Sequence, residues 1–231
     1  MSGLKRKLLA IDLDGTLVDS APDIAHCLGR ALEAIGYAPP GEARTRVWIG
    51  DGLETLIARA IAHGGGERDA TLSGEARHKA ALAAFLACYR DNLFVRSRLY
   101  PGVRETLDAL RAQGLKLCCI TNKRLAFSHE LLVVAGIRDY FDPLLGGDSL
   151  PEKKPSPLQL KVAAETLGVA PSASVLVGDS HQDLRAARAA GYGFVLASYG
   201  YGKIDETELG ASPRIRSFAD LPGALGLAAS V

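Results

Sequence analysis

The stretch Leu9-Ala10-Ile11-Asp12-Leu13-Asp14-Gly15-Thr16-Leu17-Val18-Asp19 begins with a short apolar run that ends in two carboxylates, Asp12 and Asp14, separated by one residue. Parallel strands are apolar because both of their faces are covered, and they present functional groups at their carboxyl ends. Two acids at such a position are costly to hold together unless a cation or a substrate binds them. We therefore expect a buried strand here, with metal-dependent chemistry at its end.

The composition is that of an ordinary globular protein. Of the 231 residues, 48% are hydrophobic and 23% are charged, which is enough apolar material for a sizeable core. The net charge of +1 argues against bulk electrostatic binding to nucleic acid or to anionic membranes. No apolar run approaches the ~18–20 residues of a membrane span. We expect neither nucleic acid nor membrane as a partner, and the oligomeric state is not predictable from the sequence.

A cytoplasmic location is expected from the N-terminal sequence and from the cysteines. The chain starts with basic and then apolar residues, but Asp12 interrupts the apolar part before it reaches the ~7–15 residues of a signal peptide. The four cysteines form no C-x-x-C pair and fit buried free thiols in a reducing compartment; they are Cys27, Cys88, Cys118 and Cys119.

The chain divides into a helical segment and an alternating segment. Helical patterns cover residues 22–36, 53–63 and 75–91, and Gly64-Gly65-Gly66 marks a loop, so that residues 18–92 contain no convincing strand. From Tyr100 onward, strands alternate with helices. The predicted strands are 115–121, 143–147, 174–179 and 193–197, and the predicted helices are 103–113, 125–135, 156–167, 182–190 and a closing helix at 217–227.

This alternation predicts an α/β fold with a doubly wound parallel sheet. One strand cannot form a sheet alone, so the first strand belongs with the later ones. Residues 1–17 and 93–231 would then form a Rossmann-like core, and residues 18–92 a helical domain inserted after the first strand.

Polar groups follow several of the predicted strands. They include Thr121-Asn122-Lys123, Glu152-Lys153-Lys154-Pro155, and Gly178-Asp179-Ser180 with Asp183 shortly after. The carboxyl ends of strands in a doubly wound sheet open on one edge, where ligands bind. We therefore expect these groups to converge with Asp12 and Asp14.

The order of these motifs resembles the haloacid dehalogenase superfamily. Within it, the chain is similar to phosphoglycolate phosphatases over nearly its whole length. This similarity rests on the segment 14–22, on Val47-Trp48-Ile49-Gly50, on Ile120-Thr121-Asn122-Lys123, on Lys153-Lys154-Pro155 and on Gly200-Tyr201-Gly202. The resemblance implies a phosphatase core with an inserted helical cap domain.

The resemblance also implies roles for the acids. Asp12 would be the nucleophile that accepts the phosphoryl group, and covalent catalysis of this kind divides one difficult displacement into two easier ones. Asp14 would act as general acid and then as general base through its carboxyl group, while its backbone carbonyl binds metal. Asp12 and Asp179 would supply the metal carboxylates, and Asp183 would support the site. Mg²⁺ is the expected cofactor, because it favours oxygen ligands and bridges carboxylate to phosphate.

The expected phosphate-binding groups are Thr121, Asn122, Lys154 and Gly15. Lys154 is favoured over Lys153 because Pro155 follows it, as in the family pattern. Thr121 could instead begin a helix as its N-cap residue. Lys123 and His181 are as compatible with exposure at the surface as with contact to substrate, and Asp19 and Ser20 fit a turn or a helix cap.

Residues 46–52 are the most distinctive part of the helical segment. Arg46, Trp48, Gly50, Asp51 and Gly52 fit a buried tryptophan followed by a tight turn. They equally fit a loop that reaches over the site and selects among small substrates.

The leading hypothesis is a Mg²⁺-dependent phosphomonoesterase that hydrolyses 2-phosphoglycolate. The alternatives are a phosphatase or phosphomutase for a sugar phosphate or pyrophosphate, a metal-independent dehalogenase of the same superfamily, and a binding module that retains only the fold. Asp14 and Asp179 argue against the dehalogenase, and the complete set of acids argues against the binding module.

Overall fold

The structure, a computed structural model, describes residues 6–64 and 73–227. The chain forms two compact units, one made of the chain up to Asp19 and from Leu99 onward, and one made of Ser20–Arg98. Gly65 and Gly66, which were expected in a loop, and the basic start before Arg6 lie outside the described residues. No helix in the described ranges is both long and apolar enough to cross a membrane.

The first unit contains a six-stranded parallel sheet. The strands of the whole chain are β1 (Leu8–Ile11), β2 (Val18–Asp19), β3 (Arg98–Leu99), β4 (Lys116–Ile120), β5 (Leu144–Leu145), β6 (Ser174–Gly178), β7 (Gly193–Ala197) and β8 (Arg214–Ile215). The sheet has the order β5-β4-β1-β6-β7-β8, and all of its strand pairs are parallel. The predicted α/β fold with a parallel sheet is confirmed.

Strand β1 lies between β4 and β6, at the point where the strand order changes direction. Ile11 pairs with Cys119 on one side and with Val177 on the other. The N–H of Asp12 continues this register, because it donates to the carbonyl of Val177 at 2.9 Å. Residues that follow β1, β4 and β6 therefore emerge side by side, where α/β sheets bind their ligands.

The helices are α1 (Ala21–Glu33), α2 (Glu42–Trp48), α3 (Leu53–His63), α4 (Gly74–Asp91), α5 (Val103–Ala112), α6 (Leu125–Val134), α7 (Leu158–Leu167), α8 (His181–Ala190), α9 (Glu206–Leu209) and α10 (Leu221–Ala224). The connections through α6 and α8 run in opposite directions along the sheet. Since such crossovers are right-handed, these two helices cover opposite faces.

Alternation along β1 supplies both sides of the core. Leu8 and Ala10 belong to one apolar cluster with Leu160 of α7 and Leu184 of α8. Leu9 and Ile11 point to the other face and are also fully buried. The central strand is therefore covered on both faces, as its unbroken apolar sequence indicates.

The second unit is helical and contains α1 to α4. Helix α1 packs against α4. The buried carboxylate of Asp23 in α1 accepts hydrogen bonds from the backbone N–H groups of Arg96 and Ser97 and from the Ser97 hydroxyl, the last at 2.6 Å. These bonds fix the start of the unit to its end.

Three expectations about secondary structure were wrong. Residues 18–92 do contain a strand, because Val18–Asp19 pairs with Arg98–Leu99 in a separate two-stranded sheet. The predicted strand 143–147 is reduced to Leu144–Leu145. The predicted closing helix 217–227 is a 3-10 turn at Phe218–Asp220 followed by only four residues of α10.

Local hydrogen bonds explain the interrupted C-terminal helix. The Ser217 side chain accepts from the N–H of Ala219, and the Asp220 carboxylate accepts from the N–H groups of Arg216 and Ser217 at 3.1 and 3.0 Å. Side chains that cap the backbone in this way compete with continuous helix. The helix then ends before Gly226, which has φ of +69°.

Helix α2 was not predicted. It starts after Gly41, which has φ of +78°, and the ion pair between Arg46 and Glu42 at 2.7 Å spans one turn of it. With only seven residues and one buried side chain, that of Thr45, α2 lacks the apolar periodicity that reveals longer helices.

Candidate active site

The ammonium group of Lys154 lies at the centre of the site. Its Nζ is 2.9 Å from Oδ1 of Asp12 and 2.6 Å from Oδ1 of Asp183, and it donates to the carbonyl of Ile120 at 2.7 Å. The side chain is 2% exposed. Burial lowers the pKa of Lys154, but attraction to the two carboxylates outweighs burial and leaves the pKa above its ordinary value. Lys154 is therefore a permanent cation that joins the ends of β1 and β4 to α8.

Asp12, Asp179 and Asp183 form a compact acidic cluster. Each carboxylate has an oxygen within 4.8 Å of the others, and all three residues are buried. Burial raises the pKa of Asp12 to about 7; Lys154 opposes the rise and Asp183 adds to it. Burial raises the pKa of Asp179 to about 8, and both neighbouring acids add to that rise. A buried cluster of negative charge of this kind is a receptor for a cation.

Backbone groups hold the carboxylate of Asp179. Its Oδ2 accepts from the N–H of Tyr201 at 2.6 Å and from that of Gly202 at 3.1 Å. Gly15, with φ of +83°, leaves no room for a side chain, because a Cβ there would overlap the Asp179 carboxylate. The segment Gly200-Tyr201-Gly202 and the turn after Asp14 thus fix Asp179 from two sides.

Asp183 is fixed by the first turn of α8. Its Oδ2 accepts from the N–H and the hydroxyl of Ser180, while the Ser180 oxygen accepts from the N–H of Asp183. This reciprocal pair is a capping box. Since its Oδ1 binds Lys154, both carboxylate oxygens of Asp183 have partners.

Asp14 is paired with Lys123. The Nζ of Lys123 lies 3.1 and 3.2 Å from the two carboxylate oxygens of Asp14, and both side chains are largely buried. The sequence left Lys123 open between exposure at the surface and contact with substrate, and the structure places it inside the site. Its position directly after Thr121-Asn122 was the only signal that could have indicated this.

Thr121 and Asn122 follow β4 and are buried. The Thr121 hydroxyl accepts from the N–H of Lys123 at 3.2 Å, and the Asn122 amide donates to the carbonyl of Lys154 at 2.9 Å. Thr121 is not a helix N-cap, because α6 begins after Arg124. Gln159, which no sequence signal indicated, donates to the carbonyl of Gly146 at 2.8 Å and ties this region to the end of β5.

The acidic cluster suits a hard divalent cation. All of its donors are carboxylate oxygens, which Mg²⁺ prefers, and burial raises the pKa of Asp12 and Asp179, so that a bound cation would favour their ionised forms. Asp14 is not in this cluster through its side chain, which binds Lys123 instead. A contribution of Asp14 to metal binding would therefore come from its backbone carbonyl, as the resemblance implies.

Three further residues that the sequence left open, His181, Asp19 and Ser20, lie outside the acidic cluster. His181 Nδ1 is 2.8 Å from Glu208 and its side chain is 38% exposed. The Asp19 carboxylate accepts from the Tyr201 hydroxyl at 2.9 Å, so it is held within the same unit. Ser20 is the N-cap residue of α1 but its side chain makes no capping bond.

In the helical unit, the distinctive residues 46–52 form contacts among their own helices. Trp48 is half-buried rather than buried, and its ring meets that of His63 edge-on at 5.4 Å. Arg59 pairs with Asp51 and donates to the carbonyl of Trp48. A role of this segment in substrate selection stays a prediction.

Comparison with known proteins gives a consistent picture. The family described as haloacid dehalogenase-like hydrolase matches residues 6–191. A phosphoglycolate phosphatase of Nitrosococcus oceani is 45% identical over 84% of this chain and 85% of its own. One of Chromobacterium violaceum is 41% identical over 93% of this chain and 94% of its own. A crystal structure of a predicted phosphoglycolate phosphatase from Haemophilus somnus, 35% identical, superposes with a TM-score of 0.88 over 96% of this chain and 99% of that one.

The central position of Lys154 predicts a large loss of stability in Lys154→Met. Removing the ammonium leaves Asp12 and Asp183 buried without their counter-charge, which costs about 3–5 kcal/mol in the free energy of unfolding. Urea denaturation above the pKa of Asp12 measures this loss, and the loss shrinks at lower pH as Asp12 takes up a proton. The control Lys153→Met changes a half-buried neighbour and shifts stability by less than about 0.5 kcal/mol. Equal stability of the two variants would contradict this account of the site.

Proposed function

Because the chain belongs to the haloacid dehalogenase-like hydrolase family, we propose that it is a Mg²⁺-dependent phosphatase that hydrolyses 2-phosphoglycolate to glycolate and phosphate. The observation that carries this proposal is the meeting of Asp12, Asp14, Lys154 and Asp179 at the carboxyl edge of one sheet. The names of the relatives support the choice of substrate. All four cysteines are free thiols, which supports a cytoplasmic location.

We assign the nucleophile to Asp12. A carboxylate oxygen of Asp12 would form a bond to phosphorus as the bond between phosphorus and the leaving oxygen breaks, giving an aspartyl-phosphate and an alkoxide. Lys154, at 2.9 Å from Asp12, would offset the negative charge that phosphate brings to this carboxylate. Water would then attack the phosphorus and release Asp12.

Asp14 would move the protons in both steps. It lies two residues after Asp12, in the turn that follows β1, and its carboxyl group is held by Lys123. In the first step its carboxyl group donates a proton to the leaving oxygen, and in the second it accepts one from the attacking water. Both proton transfers serve the same phosphorus, so one well-placed residue is sufficient.

Thr121, Asn122 and Gly15 would bind the phosphoryl oxygens. They emerge beside Asp12 from the ends of β4 and β1, and both backbone N–H groups and the Thr121 hydroxyl are suitable donors. Phosphoryl transfer depends mainly on positioning and electrostatic stabilisation, so these groups need no further chemical function.

Asp12 and Asp179, with the backbone carbonyl of Asp14, would hold Mg²⁺, and Asp183 would support them through Lys154. The bound cation supplies Lewis-acid stabilisation of phosphoryl oxygens and offsets the carboxylate charge.

We also propose that the helical unit, residues 20–98, is the cap domain that the resemblance implies at 18–92. The core would then comprise the remaining chain, close to the expected 1–17 and 93–231.

A substrate panel tests the proposed function. Phosphate release is measured from 2-phosphoglycolate, several sugar phosphates and pyrophosphate, with Mg²⁺ and with EDTA. We expect 2-phosphoglycolate to have the highest kcat/KM, no turnover in EDTA, and a loss of at least about 1,000-fold in kcat for Asp12→Asn, which retains the shape of the side chain.

Several results of this panel would contradict the proposal. A sugar phosphate or pyrophosphate ranking well above 2-phosphoglycolate would overturn the substrate. An isomerised phosphate ester as product would indicate a phosphomutase. Full activity in EDTA would favour metal-independent chemistry, and appreciable activity of folded Asp12→Asn would exclude the covalent mechanism.

The raised pKa values predict how pH affects cation binding. The carboxyls of Asp12 and Asp179 have pKa values of about 7 and about 8 in the folded protein, against an ordinary value of 3.8. Between the ordinary pKa and the raised ones, the folded state therefore binds more protons than the unfolded state. The free energy of unfolding of the metal-free protein should therefore fall as pH rises from about 4 to about 8. Above that range these carboxylates are ionised, and bound Mg²⁺ offsets their charge.

Thermal unfolding with EDTA and with Mg²⁺ measures this effect across the same pH range. The stabilisation by Mg²⁺ should be small near pH of about 5, because protons compete, and should grow to a plateau above about 8. Asp179→Asn should lose most of it. A stabilisation of the same size at every pH would contradict the assignment of these two carboxylates to the cation.

A further inference from the structure

Lys123 is a second buried lysine of the site, and its surroundings differ from those of Lys154. Lys154 binds Asp12 and Asp183, whose carboxylates belong to the acidic cluster. Lys123 lies instead against Asp14, at 3.1 and 3.2 Å from its two oxygens, with only 8% of its side chain exposed. The two cations therefore serve different parts of the reaction centre.

The backbone of Lys123 is held on both sides. Its N–H donates to the Thr121 hydroxyl at 3.2 Å, and its carbonyl accepts from the N–H of Gly147 at 2.7 Å and from the Ser128 hydroxyl. These bonds fix the backbone of Lys123, and the contacts with both oxygens of Asp14 locate its ammonium group. Burying a lysine costs free energy, and one ion pair seldom does more than balance that cost. The buried ammonium of Lys123 instead lies where a substrate group that approaches Asp14 would meet it.

The substrate group that approaches Asp14 is the leaving oxygen, if the proposed function holds. A proton donor must lie within about 3 Å of the oxygen that it protonates. In 2-phosphoglycolate this oxygen is bonded to the carbon that carries the carboxylate. Three bonds of about 1.5 Å or less separate it from the carboxylate oxygens, which therefore lie within about 4 Å of it. An ammonium in contact with Asp14 is within reach of that carboxylate.

We propose that Lys123 binds the carboxylate of the substrate and thereby selects phosphate esters that carry an anionic group next to the ester carbon. This inference rests on the proposed function and adds to it the residue that recognises the non-reacting end of the substrate. An ammonium has three N–H donors, so Lys123 can bind the substrate carboxylate while it keeps a bond to Asp14.

Charge recognition of this kind gives strong selectivity. A site that binds a charged substrate group through a buried side chain of opposite charge rejects an analogue without that group. The reason is that the buried side chain is then left without a counter-charge. A sugar phosphate presents a carbon with a hydroxyl group where 2-phosphoglycolate presents its carboxylate. Lys123 therefore favours the smaller, doubly anionic ester.

The test compares two substrates in two proteins at saturating Mg²⁺. The substrates are 2-phosphoglycolate and ethylene glycol monophosphate, which has the same length but a neutral hydroxymethyl group in place of the carboxylate. We expect Lys123→Met to lower kcat/KM for 2-phosphoglycolate by about 10- to 100-fold, mainly through KM. For the neutral ester we expect only the smaller fall in kcat that follows from the lost contact with Asp14, so the ratio of kcat/KM between the two substrates should fall by about 10-fold or more. Lys123→Arg, which keeps the charge, should recover part of the preference, and Lys161→Met, on the exposed side of α7, should leave both substrates unaffected.

The outcomes separate this inference from the function on which it rests. A wild-type protein that hydrolyses the neutral ester as well as 2-phosphoglycolate contradicts the proposed substrate. A wild-type preference that persists in Lys123→Met overturns the role of Lys123 and leaves the function intact. An equal fall in kcat for both substrates shows that Lys123 only orients Asp14, which also overturns the proposal. Lys123→Gln, of similar length and polar, provides the same comparison if the methionine variant does not fold.

Discussion

The site depends on one buried ammonium group. Lys154 lies in a loop far along the chain from Asp12, yet its Nζ contacts Asp12, Asp183 and the carbonyl of Ile120. These three groups come from the end of β1, the first turn of α8 and the end of β4. Without the cation, the two carboxylates would remain buried at close range, and the cost of their desolvation would be uncompensated. The edge of the sheet is therefore ordered around a charge that the sheet itself does not supply.

A divalent cation is the natural complement of this arrangement. Asp12, Asp14, Asp179 and Asp183 bring four carboxylates to the edge, and Lys123 and Lys154 bring two ammonium groups. The acids thus outnumber the bases. Because Asp12 and Asp179 are buried, water does not solvate their ionised carboxylates, and the pKa of each is raised. The same imbalance that destabilises the metal-free protein at high pH provides the binding energy for a cation and a phosphoryl group.

The sequence was most informative where residue type and strand ends coincide. The apolar run before Asp12 predicted the central strand, and the acids, Thr121 and Lys154 were each predicted within the site, because parallel strands place their carboxyl ends together. The choice of Lys154 over Lys153 depended on the proline that follows it. The pattern could not show that the Lys154 ammonium is buried between the carboxylates of Asp12 and Asp183, since this results from contacts between distant segments.

The features that sequence reasoning missed are those set by tertiary contacts. Lys123 was left undecided because a lysine after a strand is usually solvated, and only its proximity to Asp14 shows otherwise. The segment Gly200-Tyr201-Gly202 contributed to the family resemblance. Only the structure shows that two of its N–H groups donate to the carboxylate of Asp179. Helix α2 was missed and the continuous closing helix was wrong, because short helices are determined by caps and ion pairs rather than by apolar periodicity.

The central claim is that Asp12 carries the phosphoryl group between the two chemical steps. The most direct test is rapid mixing of the Mg²⁺-loaded enzyme with 2-phosphoglycolate, an acid quench within one turnover, and identification of the phosphorylated peptide by mass spectrometry. The account predicts a phosphoryl group on Asp12 that forms with glycolate release and decays as phosphate appears. A phosphoryl group on another residue, or glycolate and phosphate released together with no phosphorylated peptide at any quench time, would contradict it.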